Sequence, residues 1–131
     1  MTILLTNDDG YDADGICYLK SEIKKIEQTV TFAPRQNCSG YSAAISLGKD
    51  IEIEELNKDT FVISGTPADC SYFGLHGSKK FDFTQLVSGI NLGSNLGTDI
   101  FYSGTVGAAI AGLKLRYCLL YTSDAADEGH C

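Results

Sequence analysis

The feature that most constrains the fold is the stretch from Ile3 to Gly10. An apolar run, Ile3-Leu4-Leu5, stops abruptly in Thr6-Asn7-Asp8-Asp9-Gly10. Consecutive apolar residues are the pattern of a strand buried on both faces, and hence of a parallel sheet covered by helices. Side chains alternate faces along a strand, so Asp8 and Asp9 would diverge if the strand continued through them. They converge only if the strand ends near Asn7 and the chain turns, which Gly10 permits. The carboxyl edge of a parallel sheet is where open α/β folds bind ligands. Two adjacent carboxylates there repel unless a cation or a proton lies between them. A plain Asx or Asp-Gly turn accounts for the same residues. The octapeptide alone therefore leaves both a metal site and a turn open.

A chain of 131 residues suits one domain with a real core. Its net charge of -7 argues against binding a nucleic-acid polymer or an anionic membrane. A small anionic substrate remains compatible, because a bound cation and backbone amides reverse the local sign. No apolar run is long enough for a membrane span, and no signal-like segment is present. The cysteines Cys17, Cys38, Cys70, Cys118 and Cys131 lack C-x-x-C spacing and read as free thiols of a reducing cytoplasm. With only His76 and His130 available, a zinc site built from several histidines is not expected.

After the opening turn, Asp12, Asp14 and Gly15 are spaced as in a calcium loop. An EF-hand would need acidic residues where Gly10 and Ser21 stand, so that reading fails. Ile16, Leu19, Ile23 and Ile26 recur at helical spacing between lysines and Glu22, and Thr29 to Ala33 reads as a second strand. Strand, helix and strand make a right-handed βαβ unit. The polar segment from Arg35 to Ser42 is a loop at the same edge as Asp8. Ser39 in it is either a turn residue or an oxygen donor. Ile51, Ile53 and Leu56 alternate with glutamates and Phe61 to Ile63 follows, the pattern of an antiparallel hairpin with one wet face. Thr66-Pro67-Ala68-Asp69 is a helix start, with Thr66 as N-cap, running to about Leu75 and ending near Gly77. A short strand at Leu86-Val87 leads into the Asn/Gly-rich stretch from Gly89 to Asp99, which is neither a Walker A loop nor a dinucleotide fingerprint. Asn91 and Asn95 offer neutral carbonyl oxygens, useful hard ligands beside carboxylates, or simply flexible turns. Ser103-Gly104-Thr105 precedes a small-residue helix from Val106 to Leu115. Its hydroxyls and first amides make an anion site or serve as plain N-caps.

Five of these pieces together resemble the SurE family of survival-protein nucleotidases. They are Thr6-Asn7-Asp8-Asp9-Gly10, Ala33-Pro34 with Ser39-Gly40, Gly65 to Cys70, Ser88 to Gly97, and Tyr102 to Val106, in the family's order and spacing over roughly residues 1–117. The resemblance implies a Rossmann-like three-layer α/β sandwich with a mostly parallel sheet and an antiparallel hairpin excursion. It further implies a divalent-metal-dependent phosphatase on nucleoside 5′- and 3′-monophosphates, with activity on short polyphosphate, a cytoplasmic setting, and a homodimer or tetramer. By matching positions, the metal ligands fall on Asp8, Asp9, Ser39 and Asn91. Asn95, Ser103, Gly104 and Thr105 fall on the phosphate side, and Asp8, Asp9 and Ser103 are the catalytic candidates. Arg35 stands where the family is usually acidic, and Cys38 where it often has Arg. From Cys118 to Cys131 the chain resembles nothing in the family and is expected to be a non-family tail after a short strand, leaving the C-terminal part of the fold missing.

An all-oxygen set of two carboxylates and two neutral groups favours Mg²⁺ or Mn²⁺, with Ca²⁺ also suited, over a soft metal. Hydrolysis of phosphate monoesters is among the slowest uncatalysed reactions and calls for strong transition-state stabilisation. Amides and hydroxyls at Ser103 to Thr105 would hold the equatorial oxygens. A haloacid-dehalogenase reading of Asp12-Ala13-Asp14 fails, because that motif follows its strand directly and the strand here ends at Asn7. A non-catalytic metal- or nucleotide-binding module is the alternative function.

Overall fold

The structure is a computed structural model; it describes residues 1–113 and 117–122. The described elements open with a strand, a helix and a strand. β1 (Thr2–Thr6), α1 (Asp14–Ile23) and β2 (Gln28–Pro34) form the expected βαβ unit, with β1 and β2 parallel. β3 (Ile53–Asn57) and β4 (Thr60–Ile63) are an antiparallel hairpin. α2 (Pro67–Tyr72) passes into a π-helical turn at Phe73–Gly77, then come β5 (Gln85–Asn91), a 3₁₀ turn at Gly97–Phe101, α3 (Gly104–Ala111) and β6 (Tyr117–Thr122). Among the described residues the sheet has six strands in the order β3-β4-β2-β1-β5-β6. Every pairing is parallel except β3 with β4.

The alternation of β1 explains the three layers. Leu4 points to one face of the sheet, into a cluster with Val30, Phe32, Ile63, Leu86 and Cys70 of α2. Ile3 and Leu5 point to the other face, against Ile16 and Leu19 of α1, Ala33 and Val87. Both faces of β1 are covered, so its side chains form an unbroken apolar run. On the first face Phe32 and Phe61 stack with centroids 4.7 Å apart and near-parallel rings, and Phe83 meets Phe32 edge-on.

The expected antiparallel hairpin joins the sheet through β4, which pairs in parallel with β2. Three local expectations change. β3 at the sheet edge is exposed along its whole length, Ile53 and Leu56 included, so the apolar half of its alternation covers nothing. Glu54 and Glu55 on the strand, with Glu52 just before it, make this an edge guarded by charge. Ile26 lies beyond the end of α1 and is 78% exposed, because the chain leaves the helix after Ile23 through a turn. The α2 start follows expectation: the Thr66 hydroxyl accepts from the Asp69 amide, the Asp69 carboxylate accepts from the Thr66 amide, and Pro67 holds the first helical position. α3 closes at Ala111, capped by Gly112. The helix expected to reach Leu115 therefore stops short, with Gly112 and Leu113 in a turn, while residues 114–116 and the tail beyond residue 122 lie outside the described residues.

Candidate active site

β1, β2 and β5 all end at one edge, where the loops after them meet. The turn after β1 is braced by Asn7, whose amide donates to the Gly10 carbonyl at 2.7 Å while its oxygen accepts from the Gly10 amide at 3.3 Å. Gly10 sits at φ +119°, a conformation open to glycine and strained for other residues. This turn fixes Asp8 and Asp9 in place. Asp8 is 3% exposed and Asp9 is half-buried.

Three hydrogen-bonded staples tie the neighbouring loops to these two residues. The Cys38 amide donates to the Asp8 carbonyl at 2.7 Å, holding the Ser39 loop. The Leu92 amide donates to Asp9 Oδ2 at 2.8 Å, holding the loop that begins with Asn91. At the start of α3, the Thr105 hydroxyl donates to Asp8 Oδ1 at 2.8 Å and its amide to Oδ2 at 3.2 Å. Gly104 packs so closely on Asp8 that a Cβ there would lie 2.8 Å from the Asp8 Cβ and 3.1 Å from Pro67 Cγ. The Ser103 hydroxyl caps α3 by accepting from the Val106 amide at 3.2 Å.

Burial pushes the Asp8 carboxyl above its ordinary range and the charge of Asp9 adds to that, while the hydrogen bonds from Thr105 pull the other way. Among the described residues no basic side chain pairs with either of these two carboxylates. The remaining candidates present oxygen. The Asn91 amide nitrogen is engaged by the Gly93 carbonyl at 2.8 Å, which leaves the Asn91 oxygen as the atom available to a ligand. The exposed Ser39 hydroxyl donates to Asn37 Oδ1 at 2.6 Å, which leaves its lone pairs outward. In each case a neighbour consumes the donor and orients the acceptor, as supporting groups do around metal ligands. The donor chemistry fits a hard divalent cation. Among the described residues no three His, Cys, Asp or Glu gather in a metal-binding group, so any cation here would rest on two carboxylates and neutral oxygens.

The predicted phosphate-side residues divide. Ser103 keeps a free hydroxyl proton after accepting from Val106. Thr105 is turned toward Asp8 and not toward open space. The Asn95 amide nitrogen is buried without a hydrogen-bond partner among the described residues, a cost that a ligand oxygen would remove. Asn37, which the sequence reading left in a loop, and Asp69, which it placed only at a helix start, also matter. Asn37 orients Ser39, and the i, i+2 spacing of Asn37 and Ser39 is itself an Asx-turn signal. Asp69 does more than complement a helix dipole: it accepts from the Ser46 amide and hydroxyl at 2.9 and 2.7 Å, anchoring the loop that carries Ser39 to α2. Burial works against the Asp69 carboxylate, but these bonds and those from Thr66 hold it below the usual range.

Fold and site together define a Rossmann-like α/β protein with an all-oxygen candidate metal centre at the carboxyl edge of its sheet. The family model of survival protein SurE matches residues 3–123, and the chain belongs to the SurE family. It is 46% identical over 116 residues to the 5′-nucleotidase SurE of Acinetobacter baylyi, covering 88% of this chain and 46% of that protein. It is 45% identical over 134 residues to the 5′-nucleotidase SurE of Haemophilus ducreyi, covering 99% and 53%. It is 44% identical over 124 residues to the 5′/3′-nucleotidase SurE of Wigglesworthia glossinidia brevipalpis, covering 94% and 50%. The crystal structure of the SurE protein from Aquifex aeolicus superposes with a TM-score of 0.85 at 35% identity, over 93% of this chain and 50% of that one. The chain thus spans about half the length of the curated relatives it matches.

Proposed function

We propose that this chain carries the reacting centre of a divalent-metal-dependent phosphomonoesterase that removes phosphate from nucleoside 5′- and 3′-monophosphates and from short polyphosphate. The observation that carries the reading is the Asp8–Asp9 turn, with three loops stapled to it and their oxygen atoms left available. The names of the relatives, 5′-nucleotidase and 5′/3′-nucleotidase, support the substrate class.

Asp8, Asp9, Ser39 and Asn91 would hold Mg²⁺ or Mn²⁺. The cation would polarise a phosphate oxygen and acidify water. Thr105 holds the Asp8 carboxylate in one orientation, so it acts as a positioning residue. Ser103 offers its hydroxyl proton to an equatorial phosphate oxygen, and the unpartnered Asn95 amide offers a second donor. The Ser103 hydroxyl is oriented by its cap bond before substrate arrives, which favours the charge that develops in transfer. Among the described side chains Cys17, Cys38 and Cys70 are free thiols, which supports a reducing, cytoplasmic setting. No helix among the described residues is long and apolar enough to cross a membrane.

The test is phosphate release from AMP with and without added Mn²⁺, using this chain and its Asp9→Asn variant. The reading expects Mn²⁺-dependent release that Asp9→Asn abolishes together with calorimetric Mn²⁺ binding. Mn²⁺ binding without release would instead assign the chain the non-catalytic binding role.

A further inference from the structure

The Ser39 loop separates two cavities of opposite character. On the Asn37 side a space of about 430 Å³ is walled by Asp9, Asp12, Asp14 and the apolar Ala13, Ile90 and Leu92. On the Cys38 side a smaller one of about 310 Å³ is lined by Arg35, Lys49, Gln36, Tyr41 and Ser64. Arg35 and Lys49 are the charged residues that line this second cavity; Glu52 and Glu54 reach Arg35 from outside it, and Asp69 is taken up by Ser46 and Thr66. Its lining includes Cys38, the residue before Ser39.

Its cations are available. Lys49 has no ion pair among the described residues. Arg35 makes two long surface contacts, 3.7 Å to Glu52 and 3.4 Å to Glu54, and its guanidinium is about half exposed. Exposed pairs at such distances contribute little and yield to a better anion. The Ser64 hydroxyl accepts from the Glu52 amide at 2.8 Å and so keeps its proton to donate. A guanidinium fork, an ammonium and a neutral donor around a small enclosure are the elements that recognise a phosphate. Nothing comparable lines the other cavity, whose acceptors and apolar walls would repel one.

We infer that the Arg35–Lys49 cavity is a second anion subsite, taking a second phosphate of substrates whose first phosphate lies at the Asp8–Asp9 centre. The inference rests on the proposed phosphatase reading and narrows it: phosphomonoesters carrying a second phosphate are preferred over those with one.

Two measurements decide it, and the first does not depend on catalysis. With EDTA present the bare carboxylates of Asp8 and Asp9 repel anions, so calorimetric titration with pyrophosphate reports on the cavity. The chain is expected to bind pyrophosphate, and Arg35→Gln with Lys49→Gln to bind it at least tenfold more weakly. Lys49 is exposed, so Lys49→Gln alone carries the test if the double variant melts early. The second measurement is kcat/KM with Mn²⁺ for adenosine 3′,5′-bisphosphate against AMP. The bisphosphate is expected to be favoured about tenfold, with the variants losing that preference and keeping their AMP rate. Absence of pyrophosphate binding in EDTA, equal binding by the variants, or an unchanged substrate ratio overturns the subsite. Failure to hydrolyse AMP would overturn the phosphatase reading instead, while the EDTA titration still decides whether the cavity binds anions.

Discussion

Thr105 gives both of its donors to Asp8, 97 residues earlier in the chain: the hydroxyl at 2.8 Å to one carboxylate oxygen and the amide at 3.2 Å to the other. The start of α3 is thereby locked onto the end of β1. One carboxylate is aimed, and the first turn of the helix gains a negative charge that complements its dipole.

Thr105→Val keeps the size and the backbone donor but deletes the hydroxyl. A lost hydrogen bond to a buried charge costs about 1.5–3 kcal/mol, readable as a shift in urea midpoint. Removing the group that orients a metal-ligand candidate costs roughly 10–100-fold in affinity. Mn²⁺ titration of the variant therefore expects weaker binding than wild type. Equal affinity would show that Thr105 secures the fold and has no part in aiming Asp8.

Gly104→Ala tests the same junction by crowding. On intrinsic helix propensity alone the change favours α3 by roughly 1 kcal/mol. The added methyl would meet the Asp8 Cβ at 2.8 Å and its Oδ2 at 3.0 Å, so Asp8 or the helix must shift. The expected result is an AMP turnover reduced at least about tenfold, since small misplacements at a reacting centre are costly. A variant with wild-type turnover and a higher melting temperature would show that the junction has slack.

How far this arrangement is legible in the sequence depends on range. The Ile3-Leu4-Leu5 run, the turn at Gly10, the Thr66-Pro67 start and the Ser103 cap are each encoded within a few neighbouring residues, and each is found where local chemistry places it. The Asp8–Thr105 lock and the bonds from Ser46 to Asp69 join residues far apart in the chain, and nothing in their immediate neighbours announces them. The residues around Thr105 announce a helix start, and only the fold shows that both of its donors go to Asp8. Periodicity also overreached at Ile26, Ile53 and Leu56, because an apolar spacing states which residues share a face and not whether anything covers that face.

Asp59 supplies a pH signature away from the site. It sits in the β3–β4 turn and accepts from Lys20 at 2.8 Å and Lys24 at 2.5 Å, joining α1 to the hairpin. Partial burial opposes ionisation of Asp59, but the lysine bonds outweigh it and hold its carboxyl well below the usual range. A carboxyl depressed in the folded state stabilises the fold above its unfolded value of about 3.9, and that stabilisation fades as pH falls toward the folded value. Asp59→Asn is thus expected to lower stability by about 1–2 kcal/mol at pH 7, with the gap to wild type shrinking below about pH 4. Denaturant melts at several pH values check this, and a gap that stays constant down to pH 2 would remove the ion pair as its cause.

Ser103→Ala separates the two roles available to that hydroxyl. As a cap, its oxygen accepts from the Val106 amide at 3.2 Å, and losing it costs about 1 kcal/mol of stability. As a donor, its remaining proton is free for a phosphate oxygen, and losing one oriented donor to a transition state costs on the order of 10²-fold in rate. The two effects are independent, because the cap uses the lone pair and the donor uses the proton. The expected result is therefore a modest loss of stability with a large fall in kcat and little change in Mn²⁺ affinity. Ser103→Thr restores cap and proton together and should recover most of both. If Ser103→Ala melts lower by the cap's share while kcat is untouched, Ser103 is a cap alone and the phosphate is held by other donors.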